Sequence, residues 1–131
     1  METLSKTNDQ EVLIIDDEAD TCYLISIILD KKNIRSSCAS SLAEAKTALS
    51  LKSPSLIFLD NQLPDGWGID FIEFIKSSNP ASKIILYSAF YTPESRNFAI
   101  GKGADIIMNK PFSRVALESA VDNFVHFPYQ G

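Results

Sequence analysis

Five short apolar runs recur along the chain at regular intervals, and they constrain its fold more than any other feature of the sequence. They occupy residues 12–15, 34–39, 56–59, 84–87 and 106–108. Four of them are continuously apolar rather than alternating, which is typical of strands buried on both faces of a parallel sheet. The run at 34–39 is more polar and therefore suits an edge strand.

Segments with helical periodicity lie between these runs and after the last one. They cover residues 19–31, 41–50, 69–77, a weaker segment that opens at 92–94, and 114–127. Ser41, Thr92 and Ser113 stand where a helix-capping hydroxyl is expected, and Pro93 suits a first helical position. A βα unit repeated five times predicts an α/β fold with a doubly wound parallel sheet and right-handed crossovers.

The composition fits one soluble domain with one core. The chain has 131 residues, of which 45% are hydrophobic, and its net charge of -5 disfavours nucleic-acid binding through bulk charge. Residues 1–10 lack the apolar stretch of a signal peptide, and no run is long enough to cross a bilayer, so we expect a cytoplasmic location without membrane contact. Cys22 and Cys38 form no metal-binding spacing or disulfide framework, and both are expected to be buried thiols.

Polar side chains follow the predicted strands at the points where they end. Asp16 and Asp17 follow the first strand, Asp60 the third, Ser88 the fourth and Lys110 the fifth. The carboxyl ends of parallel strands meet at one edge of the sheet, so these groups are expected to converge there. Two carboxylates about 4 Å apart repel by roughly 4 kcal/mol at an effective dielectric constant near 20, so this cluster requires a cation or a shared proton.

Hard oxygen ligands suit Mg²⁺ better than Zn²⁺. A divalent cation, the Lys110 ammonium and the Ser88 hydroxyl around Asp60 are the groups that phosphoryl transfer onto this carboxylate needs. In that hypothesis the Asp60 carboxylate is the attacking group.

The sequence resembles the receiver domain of two-component response regulators, the CheY-like family. The resemblance rests on the acid pair Asp16-Asp17, on residues 60–64 (Asp-Asn-Gln-Leu-Pro), on Ser88-Ala89 and on residues 110–112 (Lys-Pro-Phe). Gly68 and residues 103–105 also stand where the family usually has them. The resemblance covers residues 11–127, which leaves tails at 1–10 and 128–131, and it implies a flavodoxin-like strand order, 2-1-3-4-5, with five helices.

By this resemblance, Asp60 accepts a phosphoryl group from a phosphohistidine on a partner histidine kinase or histidine phosphotransferase. Asp17, Asp60 and the backbone carbonyl of Gln62 are implied as Mg²⁺ ligands, and Asp16 acts through water.

The resemblance also assigns the remaining site residues and the partner surface. Ser88 hydrogen-bonds the phosphoryl group, Lys110 pairs with it, and the Lys110-Pro111 peptide bond is cis. The fourth helix, fifth strand and fifth helix are implied as the output surface for a downstream effector, and as a possible homodimer interface.

Ile107 departs from the family pattern, which usually has Tyr or Phe three residues before the lysine. Tyr87, Phe90 and Tyr91 are candidates to substitute for that aromatic ring. Gln62 and Phe90 stand at positions that tune the lifetime of the phosphoryl group, and Phe90 is hypothesised to hinder the attacking water.

Five other interpretations compete with the phosphorylated switch. The acids after the first strand could simply stabilise a helix N-terminus, and Lys110-Pro111 could only end a loop. A flavin or nucleotide carrier needs a glycine- and hydroxyl-rich loop where this chain is acidic. A Mg²⁺-dependent phosphatase with an aspartyl nucleophile would need an acid at the position of Gln62. A degenerate receiver that acts as a phosphorylation-independent interaction module remains the main alternative, because of Ile107.

Overall fold

The computed structural model describes residues 10–89 and 92–124. The predicted tails, apart from Gln10, lie outside the described residues. So do Phe90, Tyr91 and the last three residues of the predicted fifth helix, 125–127.

The apolar runs form one parallel sheet of five strands. The strands are β1 (Glu11–Ile15), β2 (Arg35–Ala39), β3 (Leu56–Asp60), β4 (Lys83–Ser88) and β5 (Ile106–Asn109). Their order across the sheet is β2-β1-β3-β4-β5, and every neighbouring pair is parallel. The predicted fold class and strand order are therefore confirmed, and the polar run forms the edge strand β2.

Five helices connect and follow the strands. They are α1 (Ala19–Lys31), α2 (Leu42–Leu51), α3 (Gly68–Ser78), α4 (Pro93–Lys102) and α5 (Arg114–Phe124). The Ser41 hydroxyl accepts from the Glu44 N–H, and the Ser113 hydroxyl accepts from the Ala116 N–H, as expected of capping residues. Thr92 and Ser95 form a reciprocal capping box, which gives the weakly patterned α4 a defined start.

The core lies in two layers, one on each face of the sheet. On one face, side chains of β1, β3, β4 and β5 pack with α1 and α5, and on the other they pack with α2, α3 and α4. All five residues of β3 are buried, which is why its sequence is continuously apolar up to Asp60. Burying both faces of the sheet holds the strand ends, and the polar groups that follow them, in fixed positions.

Two local features differ from the expectations. Residues Gln62–Leu63 pair antiparallel with Gly66–Trp67, so the connection from β3 to α3 contains a small hairpin that the periodicity does not reveal. Cys22 is buried as expected, but the expectation was wrong for Cys38, which is exposed because it lies on the edge strand.

Within residues 10–89 and 92–124, none of the helices has the length and apolar character needed to cross a membrane.

Candidate functional site

Three carboxyl groups meet at the carboxyl edge of the sheet. Asp16 and Asp17 follow β1 and Asp60 ends β3, and these two strands are hydrogen-bonded neighbours. One oxygen from each carboxyl group lies within 4.8 Å of the other two. Asp16 and Asp60 are only 2% and 4% exposed, whereas Asp17 is open to solvent. The predicted convergence of these acids is what the structure shows.

The Asp60 carboxyl group lies between opposing influences. Burial and the nearby charge of Asp16 favour its neutral form, while the Gln62 N–H and the Lys110 ammonium favour its charged form. Burial outweighs the rest, and the pKa of Asp60 is raised to about 6. The Gln62 N–H donates to Oδ1 at 3.2 Å, and Lys110 Nζ donates to Oδ2 at 3.3 Å.

Lys110 is the cation of this cluster. Its Nζ lies 3.3 Å from Asp60 Oδ2, 3.5 Å from Glu18 Oε1 and 3.9 Å from Asp16 Oδ2. Partial burial by itself would lower the pKa of Lys110, but the charges of Asp60 and Asp16 outweigh it and raise the pKa above its ordinary value. The ammonium group therefore stays charged at neutral pH and faces the carboxyl group of Asp60.

Ser88 and Lys110 are joined through the backbone. Ser88 is the buried last residue of β4 and pairs in register with Asn109 of β5. The Lys110 N–H donates to the Ser88 carbonyl at 2.8 Å, and the Lys110-Pro111 peptide bond is cis, as the resemblance implies. These contacts place the predicted hydroxyl and ammonium groups on adjacent strand ends.

The connection from β3 to α3 is held tightly against Asp60. A Cβ atom at Gly68 would overlap the carbonyl oxygen of Asp60, so only glycine fits there. The Asn61 side chain accepts from the Ile69 N–H at 2.9 Å, which caps α3. The Asp65 carboxylate accepts from the Leu42 and Ala43 N–H groups at 2.9 and 3.0 Å, which ties the loop to the start of α2.

Tyr87 is a site residue that the sequence analysis missed in this role. Its side chain is fully buried, and its hydroxyl donates to Asp16 Oδ2 at 2.8 Å. The available signal was a residue with a polar group at the end of an otherwise apolar run, because a buried tyrosine hydroxyl requires a partner.

Tyr87 also cannot take the place of the aromatic residue that the family usually has at the position of Ile107. Ile107 packs with Ala99 and Ala104 on the face covered by α2, α3 and α4. Tyr87 packs on the opposite face, where it is paired in register with Met108. The other two candidates, Phe90 and Tyr91, lie outside the described residues.

The donor set fits a hard divalent cation. Three carboxylates within reach of one point supply oxygen ligands, and Asp17 leaves one side open to solvent, as a cation that keeps several waters requires. Burial and, less strongly, the charge of Asp16 raise the pKa of Asp60, so these two carboxyl groups repel each other when both are ionised. A bound cation would relieve that repulsion.

Comparison with known proteins agrees with this geometry. The family model of the response regulator receiver domain matches residues 12–122. The chain belongs to this family. Its members are signalling switches rather than classical enzymes.

Two curated relatives illustrate the match. The chain is 29% identical over 102 residues to the response regulator protein PilR of Pseudomonas aeruginosa, and 30% identical over 106 residues to the phosphate regulon transcriptional regulatory protein PhoB of Escherichia coli. The matches cover 78% and 79% of this chain, but only 23% of PilR and 46% of PhoB. The chain thus spans less than half the length of these two relatives.

Solved structures show the same fold over most of both chains. A two-component response regulator from Clostridium difficile has a TM-score of 0.83 at 26% identity. The match covers 88% of this chain and 95% of that chain. The beryllofluoride-activated NtrC4 receiver domain dimer has a TM-score of 0.82 at 32% identity, with coverage of 86% and 93%.

Proposed function

We propose that this protein is a phosphorylatable receiver that accepts a phosphoryl group on Asp60 from a histidine kinase or histidine phosphotransferase. The supporting observation is the arrangement around Asp60, where a buried carboxyl group ends a central strand beside the Lys110 ammonium and two further acids. Neutralising donors around one nucleophilic oxygen favour phosphoryl transfer because they offset charge on the phosphoryl oxygens.

The reaction forms one bond and breaks one bond. An Asp60 carboxylate oxygen attacks the phosphorus atom, the phosphorus–nitrogen bond of the phosphohistidine breaks, and the imidazole leaves with its electron pair. Lys110 and the Ser88 hydroxyl bind the phosphoryl oxygens. Slow attack by water on the phosphorus atom later breaks its bond to the Asp60 oxygen and releases inorganic phosphate, so the protein also dephosphorylates itself.

Asp17, Asp60 and the backbone carbonyl of Gln62 would hold Mg²⁺, with Asp16 acting through water. The ion supplies further charge neutralisation for the phosphoryl oxygens. Asp17 is the exposed member of the acid cluster and would be the most accessible ligand to an ion that arrives from solvent.

The test is incubation of the full chain with a small-molecule phosphodonor and Mg²⁺, followed by intact mass measurement. We expect one added phosphoryl group on the wild type and none on Asp60→Asn, which keeps the shape and size of the side chain. Asp70→Asn, which changes an exposed acid in the first turn of α3, is the matched control and should be phosphorylated normally. Equal modification of Asp60→Asn and the wild type would rule Asp60 out.

The alternative is a degenerate receiver that binds partners without phosphorylation. Ile107 favours it, because the aromatic residue that usually couples the site to the output surface is missing. A wild type that gains no mass with excess phosphodonor and Mg²⁺ would support this alternative.

The proposed output surface comprises α4, β5 and α5, and a second copy of this chain is one possible partner there. Phe98 and Ile100 on α4 are 56% and 51% exposed, and Val115 on α5 is 74% exposed. The NtrC4 neighbour is a beryllofluoride-activated dimer. We expect beryllofluoride with Mg²⁺ to increase the dimer fraction in sedimentation velocity, and Ile100→Glu to prevent this. If the protein stays monomeric with beryllofluoride and Mg²⁺, the partner of this surface is a downstream effector and not a second copy of this chain.

A further inference from the structure

Both oxygens of the Asp16 carboxylate are held by donors from this chain. Oδ1 accepts from the Glu18 N–H at 2.8 Å, and Oδ2 accepts from the Tyr87 hydroxyl at 2.8 Å. Asp16 and Tyr87 are 71 positions apart in sequence, and both are almost completely buried. Because the two donors approach different oxygens, the carboxylate has one preferred orientation.

The ring of Tyr87 also contacts the ammonium group of Lys110. Lys110 Nζ lies 5.2 Å from the centre of the ring, within the range of a cation–π contact. The Tyr87 ring also packs edge-to-face against the ring of Phe112, with a distance of 5.4 Å between the ring centroids. One side chain thus orients an acid through its hydroxyl and borders the lysine through its ring.

A purely structural explanation accounts for part of this arrangement. A buried tyrosine hydroxyl needs an acceptor wherever it lies. The acceptor here is the carboxyl group of Asp16 in a cluster of three acids, and its Oδ2 atom also lies 3.9 Å from Lys110 Nζ. The Tyr87 hydroxyl therefore donates to a member of the acid cluster, and not to a backbone carbonyl outside the site.

We propose that Tyr87 is a positioning residue for the cation site, and that it acts through Asp16. This inference rests on the proposed function, since it assumes that the acid cluster holds Mg²⁺. The Tyr87 hydroxyl keeps the Asp16 carboxylate turned toward Asp17 and Asp60 and offsets part of its charge. Without the hydroxyl, a buried carboxylate surrounded by like charges turns away from them, and the cation loses a pre-arranged partner.

The test is calorimetric titration of the full chain with Mg²⁺ alone, without phosphodonor. Tyr87→Phe keeps the ring and its contacts with Lys110 and Phe112 and removes only the hydroxyl. We expect its Mg²⁺ dissociation constant to rise about 10-fold, the lower end of the effect of outer-shell changes at metal sites, because Asp16 itself acts through water. Tyr23→Phe removes an exposed hydroxyl from α1 and is the matched control, with an unchanged dissociation constant.

A double-mutant cycle distinguishes positioning from a general loss of structure. In the Asp16→Ala background, the further change Tyr87→Phe should leave the Mg²⁺ dissociation constant unchanged, because the side chain through which Tyr87 acts is gone. Equal Mg²⁺ affinity of Tyr87→Phe and the wild type would overturn the inference, and so would the same 10-fold loss in both backgrounds.

A second measurement does not depend on the folding of a variant. The chain contains four tyrosines, so fluorotyrosine-labelled protein gives few fluorine resonances. The resonance of Tyr87 should shift as Mg²⁺ saturates the site, and an unshifted resonance would contradict the inference. If the wild type binds no Mg²⁺ at all, the proposed cation site fails as well, whereas normal wild-type binding with an unaffected Tyr87→Phe rejects only the role of Tyr87.

Discussion

Asp60 combines burial with a need to be ionised. In the proposed reaction its carboxyl group must be a carboxylate to attack phosphorus, yet burial and Asp16 raise its pKa to about 6. Lys110 and the Gln62 N–H compensate only in part. The folded chain therefore makes the ionised form of Asp60 less favourable than it is in water.

This conflict makes the stability of the metal-free protein depend on pH. When the pKa of a carboxyl group is higher in the folded than in the unfolded state, the group contributes most to the stability of the fold at pH values below its unfolded pKa. This contribution is lost as the pH rises through the folded pKa. For Asp60 the interval runs from 3.8 to about 6. Asp60→Asn should therefore gain stability relative to the wild type across this interval.

Urea unfolding in the presence of EDTA at pH 4 to 7 measures this difference. Asp65→Asn is the matched control with the opposite sign, because N–H donors at the start of α2 lower the pKa of Asp65. It should lose stability relative to the wild type as the pH rises. Parallel stability curves for Asp60→Asn and the wild type would show that Asp60 has an ordinary pKa.

At the junction between β3 and α3, the backbone leaves no room for a side chain at Gly68. Gly68 is the first residue of α3, and its backbone passes against the carbonyl of Asp60. The helix starts there because the Asn61 side chain caps it and the Asp65 carboxylate anchors the preceding hairpin to α2. The position of Asp60 therefore depends on how this helix begins.

Gly68→Ala should destabilise the fold by about 1–3 kcal/mol, the usual cost of adding a methyl group to a packed region. It should also slow phosphorylation of Asp60, because the backbone at Asp60 has to move. Gly101→Ala is the matched control, since a Cβ at this position in α4 meets nothing within 4 Å. That variant should gain about 0.5–1 kcal/mol from replacing glycine in a helix. Equal stability of the two alanine variants in urea unfolding would contradict this account.

Across the whole molecule, the acid cluster joins the two central strands of the sheet. Asp16 and Asp17 follow β1, Asp60 ends β3, and both strands are buried on two faces. A cation held between them binds the folded chain and not the unfolded one, so it stabilises the entire domain.

Mg²⁺ should therefore raise the free energy of unfolding by about 1.4 kcal/mol for each tenfold increase in concentration above its dissociation constant. Asp17→Asn should shift this response to higher Mg²⁺ concentrations, because it removes the exposed ligand without disturbing the core. Thermal or urea unfolding at constant ionic strength, set with KCl, measures the effect. A wild type that responds equally to Mg²⁺ and to KCl would show that only screening is involved.

Local sequence was sufficient to predict the main architecture. Continuous apolar runs identify buried parallel strands, and alternation with helical segments restricts the topology, because both follow from short-range periodicity. Acids and a lysine placed directly after strands also predict a site, since parallel strands bring their carboxyl ends to one edge. The comparisons then confirmed the family.

Other features depended on contacts between distant segments. The hydrogen bond from Tyr87 to Asp16 joins residues on β4 and at the end of β1, two strands that are not neighbours, and no local pattern encodes it. The exposure of Cys38 follows from the edge position of β2, and the hairpin after Asp60 is held to the start of α2 by the Asp65 carboxylate. The sequence by itself determined which acids and which lysine at the strand ends reach the site, because their positions follow from periodicity. Only the tertiary structure decided how these groups are oriented and charged, because burial and hydrogen bonding depend on segments that are far apart in the chain.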